Sequence, residues 1–193
     1  MSPAVLVLIN DMLDSLDLEG ALPMLPPFRR EQALRFRRDT DRRQSVAVWL
    51  LLREACRREL GREDVPAVAW TDHGKPYFPD LPDVHFNLSH CTEAAVCALG
   101  NEPVGIDVEV PQNISPELME RLMSPGEREQ ILSDPCPEVA LARVWTMKES
   151  LLKLTGEGLR EDLDTLLDGR EDVCWQTVCD PSGRYVYTTA TYC

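Results

Sequence analysis

The sequence predicts an α+β fold made of two similar halves, residues 1–102 and 103–193, each with a long helix packed on a small antiparallel sheet. An order of strand, helices and strands runs from Ala4 to Leu99 and recurs from Val104 to Thr191, although the residues themselves do not repeat. Two helical stretches are long, one ending near Leu60 before Gly61 and the other running from Glu138 to Thr155 before Gly156. The apolar runs between them are short and bounded by turn residues, as in hairpin-connected strands. A ligand site between the halves is the natural expectation.

Ala4 to Ile9 reads as a buried strand, and Leu22 to Phe28, with Pro23, Pro26 and Pro27, as a turn-rich connection. Asp39 or Thr40 is placed to cap the first long helix. Val65 to Trp70 reads as a strand, followed by a turn at His73-Gly74-Lys75-Pro76. Val84 to Ser89 alternates, with Val84, Phe86 and Leu88 on one face and His85, Asn87 and Ser89 on the other. Ala94 to Leu99 and Val104 to Val110 are the next strands. Ser115-Pro116 and Ser124-Pro125 each place a capping residue before a proline at the first helical position. Val173 to Val178 and Arg184 to Thr191 close the chain as a hairpin around Asp180-Pro181-Ser182-Gly183.

Of the 193 residues, 44% are hydrophobic and 27% charged, ordinary values for a globular protein. No apolar run is long enough to span a membrane and the N-terminus lacks a secretory pattern, so a cytoplasmic protein is expected. The net charge is −13, but Arg29 to Arg62 holds eleven arginines against five acids, leaving that segment at +6 and the remainder at −19. This argues against general nucleic-acid binding and for a local phosphate-bearing ligand or a solvated helix face. Seven cysteines without any C-x-x-C pair read as reduced, mostly buried thiols. Lysine occurs only at Lys75, Lys148 and Lys153, which marks these three for attention as compact point charges.

Three segments carry candidate chemistry. In Gly105-Ile106-Asp107-Val108-Glu109-Val110 the two acids share one strand face, where their oxygens suit a hard cation. The hexapeptide alone favours a blander account, a half-exposed strand with its charges in water. In Trp145 to Lys153, helical spacing puts Trp145, Glu149 and Lys153 on one stripe with Lys148 beside it. An ordinary Glu149–Lys153 surface pair explains that pattern equally well. In Phe86-Asn87-Leu88-Ser89-His90, Ser89 and His90 fall at a strand end where a loop meets solvent. Glu127 completes a capping box with Ser124. No phosphate-binding glycine loop is present.

Gly74-Lys75-Pro76, Phe86 to His90, Gly105 to Glu109 and Trp145 to Lys153 stand in this order and spacing within His73 to Leu159. Together they resemble the 4′-phosphopantetheinyl transferases of the surfactin-synthetase-activating type. The resemblance implies a pseudo-dimer with coenzyme A between the halves. It implies transfer of the phosphopantetheine arm to a serine of an apo acyl or peptidyl carrier protein, with release of adenosine 3′,5′-bisphosphate. Asp107, Glu109 and Glu149 would hold Mg2+ or Mn2+ against the pyrophosphate, and Glu149 is also the candidate general base. Lys153 would stabilise pyrophosphate charge, with Lys148 supporting it or touching the ligand. Lys75, Ser89 and His90 would hold the nucleotide end and its 3′-phosphate. Arg29 and Ser45 match positions used for the same nucleotide, and Glu127 an acidic position near the site.

Met123 stands where the family often has an aromatic residue, and the short second half bears on how a carrier would dock. The arginine-rich segment would assist docking of acidic carriers. A monomer is expected, because a pseudo-dimer completes its own site. Two rivals remain: a Mg2+-dependent nucleotide pyrophosphate hydrolase, and a non-catalytic module that binds coenzyme A or a carrier.

Overall fold

The computed structural model describes residues 5–158 and 162–193. Ala4 and Leu159, at the ends of two segments singled out above, lie outside the described residues. β1 (Val5–Asn10), β4 (His85–His90) and β5 (Ala95–Gly100) form an antiparallel sheet in the order β1-β5-β4. β6 (Val104–Glu109), β7 (Val173–Cys179) and β8 (Val186–Tyr192) form another in the order β6-β8-β7. In both sheets the first strand in sequence lies at one edge and the last lies in the middle. A two-stranded ribbon, β2 (Ala69–Trp70) with β3 (Pro76–Tyr77), flanks the first sheet.

Each three-stranded sheet carries a long helix on one face. α3 (Asp39–Leu60) buries Val46, Trp49, Leu52, Ala55 and Cys56 with Phe86, Ala95, Cys97 and Leu99. α6 (Pro137–Thr155) packs on β6 and β8, where Leu151 and Leu154 share a core with Val173 and Ala190. Both helices end on a glycine in the left-handed region, Gly61 at φ 63° and Gly156 at φ 71°, where the missing Cβ removes the steric cost. The opposite faces of β5 and β6 meet through Val96, Ala98, Val104, Ile106 and Val108. β6 is therefore buried on both faces.

Several boundaries differ from the sequence reading. The segment from Leu18 to Leu34 holds two helices, α1 (Leu18–Ala21) and α2 (Pro27–Leu34), so Pro27 opens a helix within the expected turn. Arg38, not Asp39 or Thr40, is the N-cap of α3, and no side chain caps it. The strand expected from Val65 shrinks to β2, the two residues that pair with β3. The helices α4 (Pro116–Leu122) and α5 (Pro125–Ser133) begin where expected, with Ser115 accepting from the Leu118 amide and Ser124 from the Glu127 amide. The expectation of reduced, mostly buried thiols is corrected by a disulfide between Cys174 and Cys193, which ties the start of β7 to the residue after β8. Of the unpaired cysteines, Cys56 and Cys97 are buried and Cys136 is exposed.

Candidate active site

The site is assembled where β4, β6 and α6 converge. Gly105, Asp107 and Glu109 occupy the β6 face that meets α6. The approach is close: a Cβ on Gly105 would stand 2.0 Å from the Ser150 carbonyl oxygen and 2.5 Å from the Leu154 nitrogen. Glycine here lets α6 settle onto the strand and brings Glu149 and Lys153 down to Asp107. On β4 the expected polar face turns inward rather than to water, and Asn87 and Ser89 are both buried.

Asp107 is 3% exposed and sits at the centre. Its Oδ1 accepts from the Ser89 hydroxyl at 2.8 Å and from Lys153 Nζ at 2.5 Å, and Lys153 also donates to Ser89 Oγ at 2.9 Å. Its Oδ2 is buried and has no hydrogen-bond partner. A buried carboxylate oxygen without a partner is costly unless a cation or donor completes it. Glu109 and Glu149 share the same field. Burial first and Asp107 second push the Glu109 carboxyl up to about 7. The same two causes raise Glu149, and Lys153 opposes them in both. Negative charge thus exceeds what Lys153 neutralises.

Beside this cluster lies a cleft of about 280 Å3 lined by Lys75, Asn87, Glu149 and Lys153, with Gly74 and Gly156 at its walls. Lys75 donates to the Leu154 carbonyl at 2.6 Å, and burial lowers its ammonium to about 8. His90 ends β4, where partial desolvation first, and then the positive charges of Lys153 and Arg29, lower its pKa. Arg29 donates to Ser45 Oγ at 3.1 Å and lies 4.6 Å above the Trp49 ring, with burial lowering its pKa to about 10. Arg29 and Ser45 thus meet on the α3 side, close enough to His90 for the Arg29 charge to act on it, while none of the three lines the cleft.

Lys148 and Glu127 are placed elsewhere. Lys148 is fully buried and donates to the Leu122 carbonyl at 2.9 Å, the Leu163 carbonyl at 2.6 Å and Glu127 at 2.7 Å. Glu127 also accepts from the Ser124 amide at 2.7 Å, completing the capping box. Lys148, expected to support Lys153 or touch the ligand, here has its three N–H donors engaged inside the protein. Neither residue lines the cleft. Adjacent helical positions point about 100° apart, so Glu149 reaches the cleft while Lys148 enters the core. Two residues that the sequence reading gave no role belong to the site: Asn87, within the quoted motif, and Trp145, which lines a pocket beside Glu109 and opposes the rise of its carboxyl pKa.

A family model described as the 4′-phosphopantetheinyl transferase superfamily matches residues 103–189. A second, for the N-terminal region of 4′-phosphopantetheinyl transferases, matches residues 14–102. The 4′-phosphopantetheinyl transferase Sfp of Bacillus subtilis (strain 168) is 34% identical over 151 residues, covering 76% of this chain and 67% of that protein. The chain belongs to the 4′-phosphopantetheinyl transferase superfamily. A second Bacillus subtilis transferase is 32% identical over 140 residues, 71% of this chain and 62% of that protein. The transferase psf-1 of Bacillus pumilus is 32% identical over 160 residues, 79% of this chain and 69% of that protein. The matched region thus spans roughly two thirds of these relatives' length.

In a phosphopantetheinyl transferase this donor set has the right character for a hard divalent cation, since all its atoms are carboxylate oxygens and one of them, Asp107 Oδ2, is unsatisfied. Among the described residues, no three Asp, Glu, His or Cys side chains are gathered closely enough to chelate one. Lys153 takes the Asp107 oxygen that faces it and serves as the local cation.

Proposed function

We propose that the chain transfers the 4′-phosphopantetheine arm of coenzyme A to a serine of an apo acyl or peptidyl carrier protein. Membership of the family supports this reading, and one structural observation carries it to these residues: the Ser89–Asp107–Lys153 contact with its unsatisfied carboxylate oxygen, bordered by two acids of raised proton affinity. The matching strand order of the two sheets supports a pseudo-dimer of halves 1–102 and 103–193, with coenzyme A in the cleft between them and a monomer as the working unit.

The chemistry is attack of the carrier serine oxygen on the phosphorus next to the pantetheine arm. The new P–O bond forms as the bond to adenosine 3′,5′-bisphosphate breaks, and the serine proton must leave. Asp107, Glu109 and Glu149 would hold Mg2+, which when bound neutralises pyrophosphate charge. Lys153, half-buried beside Asp107, would exchange its carboxylate contact for a phosphate oxygen and stabilise the departing bisphosphate. Glu149 lines the cleft and holds its proton more tightly than an ordinary carboxylate, as a base for the serine hydroxyl requires. Lys75, His90, Arg29 and Ser45 would bind the nucleotide and its 3′-phosphate. No helix in the described residues is long and apolar enough to cross a membrane, and a cytoplasmic location is part of the same proposal.

Incubation with coenzyme A, Mg2+ and an apo carrier, read by intact mass, tests the reading. The expected result is one phosphopantetheine added per carrier. Coenzyme A cleaved without modification of any of several carriers would favour a hydrolase, and binding without turnover a non-catalytic module.

A further inference from the structure

β4 and β6 are both edge strands, and they face each other across the junction of the two sheets. An edge strand buried against another element leaves ladder amides that need partners. At this seam one amide is met by a side chain: the Ile106 N–H donates to Asn87 Oδ1 at 3.0 Å. Asn87 is 4% exposed and Ile106 is fully buried, so no bulk water can replace that acceptor. Two residues along β4 on the same face, Ser89 donates to Asp107, the residue after Ile106. The seam is thus pinned by two consecutive contacts, the first to the backbone and the second to the carboxylate at the centre of the site.

We propose that Asn87 is a positioning residue: by holding the Ile106 amide it fixes the register of β6 against β4 and thereby the place of Asp107 between Ser89 and Lys153. The inference rests on the transferase reading for its functional consequence, but not for its structural one. Asparagine suits the task because its amide oxygen accepts without adding charge, whereas an aspartate would bring a further negative group beside Asp107, Glu109 and Glu149. Asn87 also lines the cleft beside the acidic cluster. Loss of the acceptor would loosen Asp107 without removing any group that contacts the reacting atoms.

The test compares Asn87→Leu with Phe86→Leu, which perturbs the same strand on its opposite, core-facing side. Amide hydrogen exchange in the ligand-free protein is read first. Asn87→Leu is expected to lower protection at Ile106 at least about tenfold relative to neighbouring β6 amides, an opening made easier by loss of one bond. Phe86→Leu should lower β4 and β6 together. Calorimetric titration with coenzyme A and Mn2+ is read second, with binding weakened about tenfold or more in Asn87→Leu and little changed in Phe86→Leu. Transfer should fall chiefly through a raised Mg2+ requirement, with most of kcat recovered at saturating Mg2+. Unchanged Ile106 protection, or equal loss of metal-supported binding in both variants, overturns the proposal. If Asn87→Leu does not fold, Asn87→Ser removes the same reach and is held to the same outcomes. A wild-type protein with no transferase activity would sink the functional reading, while the exchange result would still stand or fall by itself.

Discussion

At the residue scale, Asp107 shows how a site stores unfavourable charge. Its presence helps raise both Glu109 and Glu149, so three carboxylates compete for one ammonium. Asp107→Asn keeps an acceptor for Ser89 and removes the repulsion. It should leave the melting temperature unchanged or higher in the absence of divalent metal, while cutting transfer about a hundredfold or more. Parallel thermal melts and carrier modification assays check both halves, and a large loss of stability would contradict the charge argument. Lys75 gives a pH prediction. Burial holds its free-state pKa near 8, and a bound 3′-phosphate would raise it. Affinity that depends on the ammonium is full below the free-state value and lost as pH climbs through the bound-state value. Coenzyme A should therefore bind progressively more weakly above about pH 8, while dephospho-coenzyme A, which lacks that phosphate, should change little. Titrations of both ligands across this range provide the comparison. The acids and lysines were legible in the sequence. Their burial was not, because alternating charge on a strand looks the same whether its polar face meets water or a helix.

At the scale of elements, α6 separates two tasks along adjacent residues. The stripe through Trp145, Glu149 and Lys153 was readable from helical spacing, as were the caps at Ser115, Ser124 and Gly156. Which residue beside the stripe enters the core was not, because that depends on where the loop carrying Leu163 and the end of α4 fall. Lys148, fully buried with Glu127 at 2.7 Å and two carbonyl partners, holds those pieces to the helix. Lys148→Ala strands the Glu127 charge and two carbonyls and should cost about 3–5 kcal/mol in denaturant unfolding. The pair Lys148→Met with Glu127→Gln should recover a good part of that loss. Gly105 makes the matching demand on β6. Gly105→Ala inserts a methyl where backbone atoms already stand within 2.0 and 2.5 Å, so α6 must move away. The expected cost is about 1–3 kcal/mol, with a larger proportional loss of transfer because Glu149 and Lys153 move with the helix. Loss of stability with transfer unchanged would show that this close approach does not set the site.

At the scale of the whole molecule, the recurring order of elements in the sequence corresponds to two sheets of the same strand order, each covered by a long helix. The seam between them was illegible, because Asn87 and Ile106 are nineteen positions apart and nothing in either segment names the other. The charge distribution was legible, and it yields a prediction about carrier docking. Arg30, Arg35, Arg37 and Arg38 are exposed on α2 and in the turn before α3, whereas Arg42, Arg57 and Arg58 are engaged with Asp39 or Glu54. The chain carries −13 overall, so the net field repels an acidic carrier and this cationic patch is a favoured approach. Docking should therefore be steered to this end of the molecule. Replacing Arg35 and Arg37 by glutamate cancels the charge of this four-arginine patch without touching the cleft. At low ionic strength the KM for carrier should rise about tenfold, with the KM for coenzyme A unchanged. The difference between variant and wild type should shrink toward nothing near about 0.5 M salt, where screening acts over a few ångströms. An equal rise in both KM values, or a carrier KM indifferent to salt, would place docking on another face and leave the arginines as a solvated helix end.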